Sequence, residues 1–355
     1  MNGIFEKLAP PPPKVTVGIN GFGRIGRAFL RIAAETKDID VVAINDLGDI
    51  QNLAYLLKYD TAYKSPSFKV EAGDGHILVG RKKVKVLNEK DPSAIPWKKL
   101  GVDVVVESTG VFESFEKASG HLRGGASRVV ITAPLKNEPG ATGPLGETVL
   151  VGVNEEALGA SVVTSNASCT TNAGSPLIAI LDETLGIEKA LLSTVHAYTA
   201  TQSIVDSPVK GTDLRRGRAA GQNIVPSSTG AATAVTEAYP KLKGFFDGIS
   251  LRVPVVTGSI VDITFISKKS TSAEEVNSIL GHAAQELRWR GIFTTTREQL
   301  VSSDIIGNPH ASIADLNFTR VVGGNLVKVL AWYDNEIGYT NTLMRHVRQA
   351  GQYIH

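Results

Sequence analysis

The feature that most constrains this chain is a glycine-rich turn between an apolar run and a helical pattern. The apolar run at residues 14–19 leads into Gly21, Gly23 and Gly26, which have the G-x-G-x-x-G spacing. A second apolar run at residues 39–44 completes a strand–helix–strand unit of about 30 residues. In this context the glycines allow a tight turn, close approach to a pyrophosphate and close helix–sheet packing. The segment therefore predicts a dinucleotide-binding βαβ unit.

The same unit predicts which cofactor is bound. The first helical turn offers backbone N–H groups and a positive dipole end to phosphates. Asp46 follows Gly26 by twenty residues, where a carboxylate accepts hydrogen bonds from an adenosine ribose and repels a 2′-phosphate. We therefore expect NAD rather than NADP; the alternative is a glycine-rich turn in an unrelated α/β sheet. The expected cofactor-binding residues are Gly21, Phe22, Gly23, Arg24, Ile25, Gly26 and Asp46.

The other apolar runs divide the chain into two halves. Short Val- and Ile-rich runs without strict alternation are typical of a parallel sheet buried on both faces, and they lie at residues 102–106, 128–132 and 148–151. Longer runs with period two are typical of an antiparallel sheet with one solvated face, and they lie at 191–198, 249–256, 259–267 and 326–332. The expected fold class is α/β: a Rossmann-type doubly wound parallel sheet plus an α+β domain with a mostly antiparallel sheet.

Composition excludes several classes of protein. The length of 355 residues suggests about two domains. Thirty-seven basic against 35 acidic residues leave no charge footprint for nucleic acid. We find no signal peptide and no membrane helix, and residues 1–14 are expected to form a flexible proline-rich leader, so a cytoplasmic protein is expected. The single cysteine, Cys169, excludes an intramolecular disulfide and a Cys-rich metal site.

Cys169 has the surroundings of a reactive thiol rather than of a core residue. Ser168, Thr170 and Thr171 flank it with small hydroxyl groups, and an apolar helical pattern follows. At the N-terminus of that helix the dipole would favour the thiolate. His196 ends another apolar run and is the residue type that activates a thiol near neutral pH. From the residues alone, a satisfied core histidine is the commoner interpretation.

A long Gly-, Arg- and Ser-rich segment at residues 199–230 separates two of the later apolar runs. Ordered segments of this length inside a domain are usually functional. Four arginines are found in or beyond it, near the hydroxyl-rich residues 227–229: Arg215, Arg216, Arg218 and Arg252. Guanidinium groups with hydroxyls are suited to binding phosphate, whereas a solvated basic loop is the alternative for Arg215 and Arg218.

Together these segments resemble the phosphorylating glyceraldehyde-3-phosphate dehydrogenases from about residue 15 to the C-terminus. The matching segments are residues 19–27, 165–172, 195–202, 226–232, 251–254 and 332–339. The resemblance implies a dinucleotide-binding domain at residues 15–168 and 336–355, and a catalytic domain at residues 169–335. It implies the glycolytic oxidation of glyceraldehyde 3-phosphate to 1,3-bisphosphoglycerate with NAD and inorganic phosphate.

The resemblance also implies roles for individual residues. Cys169 would be the nucleophile, forming a hemithioacetal and then a thioester, with His196 as the base. The substrate phosphate would be held by Thr199 and Arg252. The attacking phosphate would be held by Ser168, Thr170, Arg216, Thr229 and Gly230. Asn335 would fix the nicotinamide carboxamide, with Tyr339 packed nearby.

The segment 199–230 would lie against the cofactor of a neighbouring subunit, which implies a homotetramer. This chain departs from the family pattern at Ala173, where many members have a second cysteine, at Thr233 in place of lysine, and at residues 255–258. These departures concern loop packing and subunit contacts. In residues 206–208, Asp-Ser-Pro, Pro208 fits the NAD group but Ser207 fits neither cofactor preference cleanly, which leaves NADP use open.

Three alternatives remain at this stage. The first is the same chemistry on another phosphorylated aldehyde, such as erythrose 4-phosphate. The second is a non-catalytic NAD- or RNA-binding protein on the same fold, which would need none of Cys169, His196 and Arg252. The third is a cysteine hydrolase, which would not need the dinucleotide turn. The leading hypothesis requires no metal, no membrane and no nucleic acid.

Overall fold

The computed structural model describes residues 14–136, 146–209 and 212–354 and arranges them around two β-sheets. Apart from Lys14, the predicted leader at residues 1–14 lies outside the described residues. Within the described ranges, no helix is long and apolar enough to cross a membrane.

The first sheet contains nine strands from the N-terminal half. They are β1 (Val15–Asn20), β2 (Ile39–Asn45), β3 (Val70–Gly73), β4 (His76–Val79), β5 (Lys82–Leu87), β6 (Val104–Glu107), β7 (Arg128–Ile131), β8 (Glu147–Thr148) and β9 (Val163–Ser165). Their order is β3-β4-β5-β2-β1-β6-β7-β9-β8. All neighbours from β5 to β8 are parallel. The order reverses beside β1, which opens a crevice at the carboxyl ends of β1 and β6.

Helices cover both faces of this sheet. They are α1 (Arg24–Ala33), α2 (Ile50–Lys58), α3 (Phe115–Ala118), α4 (Gly120–Arg123) and, from the far end of the chain, α8 (Ile337–Gln352). Along β6, Val104 and Val106 belong to one apolar core and Val105 to another, and all three are fully buried. Strands buried on both faces need apolar residues at every position, which explains the continuous valine runs.

The second sheet contains eight strands. They are β10 (Ile187–Ala197), β11 (Val225–Ser228), β12 (Phe246–Val253), β13 (Ser259–Ser267), β14 (Phe293–Thr296), β15 (Ser312–Asp315), β16 (Arg320–Val322) and β17 (Leu326–Tyr333), in the order β11-β12-β10-β13-β17-β15-β14 with β16 beside β17. Three helices pack against it: α5 (Cys169–Leu185), α6 (Ala231–Ala238) and α7 (Ala273–Ala283). Residues of β13 alternate between buried and half-buried, so one face contacts these helices and the other does not.

The predicted fold class is confirmed, while several details are wrong. The expected strand at residues 148–151 is only Glu147–Thr148, because the chain turns at once. The second sheet is not antiparallel throughout: β10 and β12 are parallel, as are β14 and β15. The first sheet carries an antiparallel edge, β3-β4-β5, that the valine pattern does not reveal. The segment 199–230 ends in β11 rather than being loop throughout.

Candidate active site

The glycine turn after β1 has the geometry that its spacing predicts. Gly21 has φ +91°, and a Cβ there would lie 2.7 Å from the Ser108 backbone. A Cβ at Gly26 would collide with the Gly21 carbonyl oxygen, so this glycine lets α1 pack against the turn. A Cβ at Gly23 would meet no atom within 4 Å. The missing side chain at Gly23 therefore leaves open space in front of the backbone.

The open space is part of a cleft of about 580 Å³ at the carboxyl ends of the parallel strands. The amides of residues 24–26 precede the first intrahelical bond, in which Arg27 N–H donates to Gly23, so they lack intrahelical acceptors. Such amides suit a phosphate group. The cleft is lined by Asn20, Gly21, Gly23, Asn45, Asp46, Leu47, Glu89, Lys90, Ser108, Thr109, Val111 and Phe112.

Asp46 follows the end of β2 and is held against the glycine turn. Its Oδ2 accepts the Phe22 N–H at 2.6 Å, and its Oδ1 accepts the Gly48 N–H at 2.8 Å. Its carboxylate lies in the wall of the cleft, where a ribose hydroxyl would find an acceptor.

The Arg24 side chain binds two carboxylates rather than being free to bind a phosphate in the cleft. Its Nε donates to Glu336 Oε1 at 2.7 Å, and its Nη1 donates to Asp60 at 2.5 Å. Burial disfavours the guanidinium charge, but the two carboxylates more than offset this and raise the pKa of Arg24. Only the backbone N–H of Arg24 remains suited to a phosphate. Local sequence cannot predict this, because the partners lie 36 and 312 residues away.

Cys169 is the first residue of α5 and is half-buried. Ser168 caps the helix, its Oγ accepting the Thr171 N–H at 3.1 Å. Ala167 before it has φ +52°, and its carbonyl accepts the Tyr339 hydroxyl at 3.1 Å. This sharp turn directs the thiol towards the second sheet, where Cys169 Sγ lies 3.3 Å from His196 Nε2.

Strand register brings the third member of this group into place. In the parallel pair β10–β12, His196 is opposite Arg252, so the two side chains extend from the same face. Arg252 Nη1 lies 2.6 Å from His196 Nδ1 and donates to the Ala197 carbonyl at 3.2 Å. His196 Nδ1 lies 2.6 Å from that same carbonyl. When Nδ1 donates to that carbonyl, Nε2 can accept the thiol proton; when Nδ1 instead accepts from Arg252, which can only donate, Nε2 carries the proton.

The titration behaviour differs from the thiolate that the helix dipole predicts. Burial raises the pKa of Cys169, and the Arg252 charge opposes this rise only in part. Burial, with Arg252 second, lowers the pKa of His196 to about 3. Burial therefore favours the neutral form of both the thiol and the imidazole. A neutral imidazole can accept the thiol proton, which an imidazolium cation could not do.

The predicted phosphate-binding residues occupy two neighbouring places. Arg216 Nη1 donates to Thr201 Oγ1 at 3.2 Å, and Thr201 Oγ1 is 2.9 Å from Thr199 Oγ1. Gly230 precedes α6, whose Ala231 N–H donates to Thr229 Oγ1 at 3.2 Å. The starts of α5 and α6 lie close together, since Thr171 Oγ1 donates to the Ala231 carbonyl at 3.5 Å. Two helix N-termini therefore converge beside Cys169, as suits a phosphate.

Asn335 lies in the turn between β17 and α8. Its Oδ1 accepts the Gly258 N–H at 3.2 Å and the Ser259 hydroxyl at 3.0 Å. The carboxamide orientation is thus fixed through its oxygen, and among the described residues no hydrogen bond engages its Nδ2. Within the described residues, no group of three or more His, Cys, Asp and Glu side chains could hold a metal ion.

Comparison with known proteins decides the family. Residues 15–115 match the family model described as the NAD binding domain of glyceraldehyde 3-phosphate dehydrogenase, and residues 168–335 match the C-terminal domain of the same family. The chain belongs to the glyceraldehyde 3-phosphate dehydrogenase family. The predicted relationship is confirmed, as are the NAD cofactor and the oxidoreductase class.

Curated relatives extend this similarity over nearly the whole chain. The glyceraldehyde-3-phosphate dehydrogenase of Borreliella burgdorferi is 48% identical over 335 residues, covering 92% of this chain and 97% of the relative. That of Mycobacterium avium is 48% identical over 346 residues, covering 95% and 99%. Glyceraldehyde-3-phosphate dehydrogenase 2 of Bacillus subtilis is 46% identical over 339 residues, covering 94% and 97%.

Several residues at this site are not among those predicted from the sequence. Tyr333 is fully buried; its hydroxyl is 2.9 Å from Thr170 Oγ1 and 2.7 Å from Thr194 Oγ1, and its ring lies edge-on to His196. Its hydroxyl is thus a hydrogen-bond partner of both threonines. The sequence also gives no sign of Thr201. The Ser-Thr-Gly sequence directly after β6 is the available signal for the Ser108 side of the cleft.

Proposed function

We propose that this chain oxidises and phosphorylates D-glyceraldehyde 3-phosphate to 1,3-bisphosphoglycerate with NAD. One observation carries the proposal: Cys169 Sγ at the start of α5 lies 3.3 Å from Nε2 of a buried histidine. A thiol with an adjacent base is the arrangement that covalent catalysis on a carbonyl requires. The dinucleotide cleft and the convergent helix N-termini supply sites for the other two reactants.

The cleft fits NAD by its own geometry. Space in front of Gly23, free amides at the start of α1 and the Asp46 carboxylate match a pyrophosphate and a ribose. NAD, when bound, accepts a hydride from the substrate carbon. Asn335 would hold the carboxamide through Nδ2, and Tyr339 would support the turn next to Cys169. The Asp46 charge favours NAD over NADP, whose use is left open by residues 206–208.

The protein's own groups carry the covalent steps. The Sγ electron pair forms a bond to the aldehyde carbon, while the thiol proton passes to His196 Nε2. The resulting imidazolium gives this proton to the developing alkoxide, which leaves a hemithioacetal hydroxyl and a neutral imidazole. As the carbon–hydrogen bond breaks and its hydride leaves, the hydroxyl proton returns to Nε2 and the carbon becomes that of a thioester. An oxygen of inorganic phosphate then bonds to the thioester carbon, and the Cys169 thiolate leaves. Forming the thioester first keeps the energy of oxidation available for phosphate transfer.

Two sets of residues would hold the two phosphates. Arg252 and Thr199 would bind the substrate phosphate; the proximity of Arg252 to His196 supports this, because it places a cation within reach of the reacting group. The attacking phosphate would be bound by Ser168, Thr170, Arg216, Thr229 and Gly230. The contact between the starts of α5 and α6 supports that assignment for Ser168, Thr170, Thr229 and Gly230. Arg216 is hydrogen-bonded to Thr201, next to Thr199.

We also propose a cytoplasmic homotetramer. Segment 199–230 exposes large apolar side chains, with Ile204 at 88% and Leu214 at 71%, which favours a protein partner. The uncovered face of the second sheet adds exposed Leu191 and Ile249. The proposed domain boundaries, residues 15–168 with 336–355 against 169–335, are supported by the separation of the two sheets and by the packing of α8 on α1.

The deciding experiment is NADH formation measured by absorbance with glyceraldehyde 3-phosphate. Omitting phosphate in a parallel reaction should abolish turnover, because the thioester then has no acceptor. Erythrose 4-phosphate should react much more slowly, and NADP should support less activity than NAD. Turnover that does not depend on phosphate, or NAD binding without any turnover, would contradict the proposal.

A further inference from the structure

Asn335 lies between two acidic residues that are both anchored to the dinucleotide-binding half of the molecule. Asp334 is fully buried. Its Oδ1 accepts the Tyr63 hydroxyl at 2.7 Å, from the loop after α2, and its Oδ2 accepts the Gly307 N–H at 2.8 Å. One carboxylate therefore joins three segments that are far apart in the sequence.

Asp334 also shapes the turn in which Asn335 lies. Its Oδ1 accepts the N–H groups of Glu336 and Ile337, both at 2.9 Å, so the carboxylate holds the start of α8. The Thr257 hydroxyl lies 3.1 Å from Asp334 Oδ1 and 3.2 Å from Asn335 Oδ1. The position of the Asn335 carboxamide is thus fixed from the residue before it as well as by its own contacts.

Glu336, the residue after Asn335, is also bound to the dinucleotide-binding half of the molecule. Glu336 accepts hydrogen bonds from the Arg24 guanidinium, which also binds Asp60 and lies 5.5 Å above the Tyr63 ring. Arg24 is the first residue of α1, whose amides face the expected pyrophosphate. A continuous set of contacts therefore runs from the pyrophosphate end of the cleft to both neighbours of Asn335.

The burial of the Asp334 carboxylate has to be offset by its hydrogen bonds. A buried carboxylate loses several kcal/mol of hydration, and only close hydrogen bonds compensate for that loss. Among the described residues, no lysine, arginine or histidine forms an ion pair with it. The carboxylate accepts only neutral donors among the hydrogen bonds described above, and these come from both halves of the molecule. The position of Asp334 therefore depends on both halves.

We propose that Asp334, with Tyr63 and the Glu336–Arg24 pair, is a positioning residue that sets the Asn335 carboxamide relative to the pyrophosphate site. The inference rests on the proposed function, because it assumes that Asn335 binds the nicotinamide. Asp334 and Tyr63 lie at the Asn335 end of this network, so their loss should act on the nicotinamide half of the cofactor more than on the ADP-ribose half. The network therefore contributes to the affinity difference between NAD and ADP-ribose.

The test compares binding of NAD and ADP-ribose to the full chain by calorimetry. Asp334→Asn should weaken NAD binding about tenfold, as expected for loss of charged hydrogen bonds, and change ADP-ribose binding less than about twofold. Tyr63→Phe removes one hydrogen bond and should give a smaller shift in the same direction. Asp304→Asn alters an exposed turn carboxylate that accepts only the Val301 N–H at 2.8 Å, and this control should bind both ligands as wild type does.

A double variant tests whether Asp334 acts through Asn335. If Asn335→Ala already removes the nicotinamide contact, adding Asp334→Asn should cause little further loss of NAD affinity. Equal weakening of NAD and ADP-ribose, or additive losses in the double variant, would overturn the inference. Should Asp334→Asn not fold, the same criteria apply to Tyr63→Phe. Failure of the wild type to bind NAD would instead count against the proposed function.

Discussion

The cofactor cleft and the thiol centre are built in opposite ways. The part of the cleft suited to a pyrophosphate and a ribose is mostly backbone: Gly21 and Gly23, the amides at the start of α1 and the Asp46 carboxylate, all within residues 21–46. The thiol centre is mostly side chains, in which Cys169, His196 and Arg252 come from one helix and two strands. A site made of backbone tolerates changes in its side chains, whereas a site made of side chains depends on each one.

The difference also determines how each site fails. Damage to the cleft requires a change of backbone space, as at a glycine, and should weaken binding gradually. Damage to the thiol centre requires the loss of a single atom and should stop the reaction while leaving cofactor binding intact. The predictions below, in order of decreasing effect, test that separation.

Cys169→Ala should lower turnover by at least about 10⁴-fold, because the covalent route is lost. Since Cys169 lies outside the lining of the 580 Å³ cleft, NAD affinity should stay within about twofold of wild type. Steady-state assay and calorimetry provide the two measurements. A variant with near wild-type turnover would refute the mechanism, and parallel loss of NAD binding would refute the independence of the two sites.

His196→Asn should lower kcat by about 10²- to 10⁴-fold, the usual contribution of a positioned base. The asparagine cannot accept the thiol proton, although it retains a polar group near Cys169 Sγ. His282→Asn, on the exposed surface of α7, is the matched control and should be fully active. If His196→Asn kept more than a tenth of the wild-type kcat, a group other than His196 would have to accept the thiol proton.

Gly26→Ala should weaken NAD binding and lower the free energy of unfolding by about 1–3 kcal/mol, as overpacking does. The new methyl group would collide with the Gly21 carbonyl oxygen and displace α1. Gly281→Ala, where a Cβ meets no atom within 4 Å, is the control and should not lower stability. The rate of Cys169 alkylation should be similar in both variants; a large change there would show that the two sites are coupled.

Asp46→Ala should weaken NAD binding by about tenfold, the value of hydrogen bonds to a charged acceptor. It should affect NADP binding less, because the repulsive charge is removed at the same time. The ratio of kcat/KM for the two cofactors measures this change, with Asp74→Asn on the exposed surface as control. An unchanged ratio of kcat/KM for NAD and NADP would show that Asp46 does not determine which cofactor is used.

Arg252→Gln should shift the pH profile of Cys169 alkylation to higher pH. Burial raises the pKa of the thiol and the Arg252 charge lowers it, so removing the charge leaves burial unopposed. At pH 8 we expect alkylation to slow by a few-fold, measured by mass spectrometry of the single cysteine. Arg215→Gln, a largely exposed arginine paired with Asp213, should leave the profile unchanged. A shift to lower pH would contradict the assigned role of Arg252.

The cofactor cleft could be predicted from the sequence better than the thiol centre could. Gly21, Gly23, Gly26 and Asp46 belong to one short segment, so their spacing alone indicates the turn that they form, and their role in NAD binding stays a prediction. The role of the Arg24 side chain was missed because its partners are 36 and 312 residues away. The 2.6 Å contact of Arg252 with His196 depends on the parallel register of β10 and β12, and the apolar pattern had suggested antiparallel pairing. Buried Tyr333 resembles any core aromatic until its neighbours are known.

The position of α8 on the first sheet has a consequence for synthesis of the chain. Arg24 and Glu336 are separated by 312 residues, which a ribosome adds in roughly 15–60 s at about 5–20 residues per second. During that time β1, β6 and β7 lack one of their covering helices, and the Arg24 guanidinium lacks one of its two carboxylates. The N-terminal half therefore emerges with apolar surface that α8 later covers, and the Arg24–Glu336 contact beside the cofactor cleft forms only once α8 has been made.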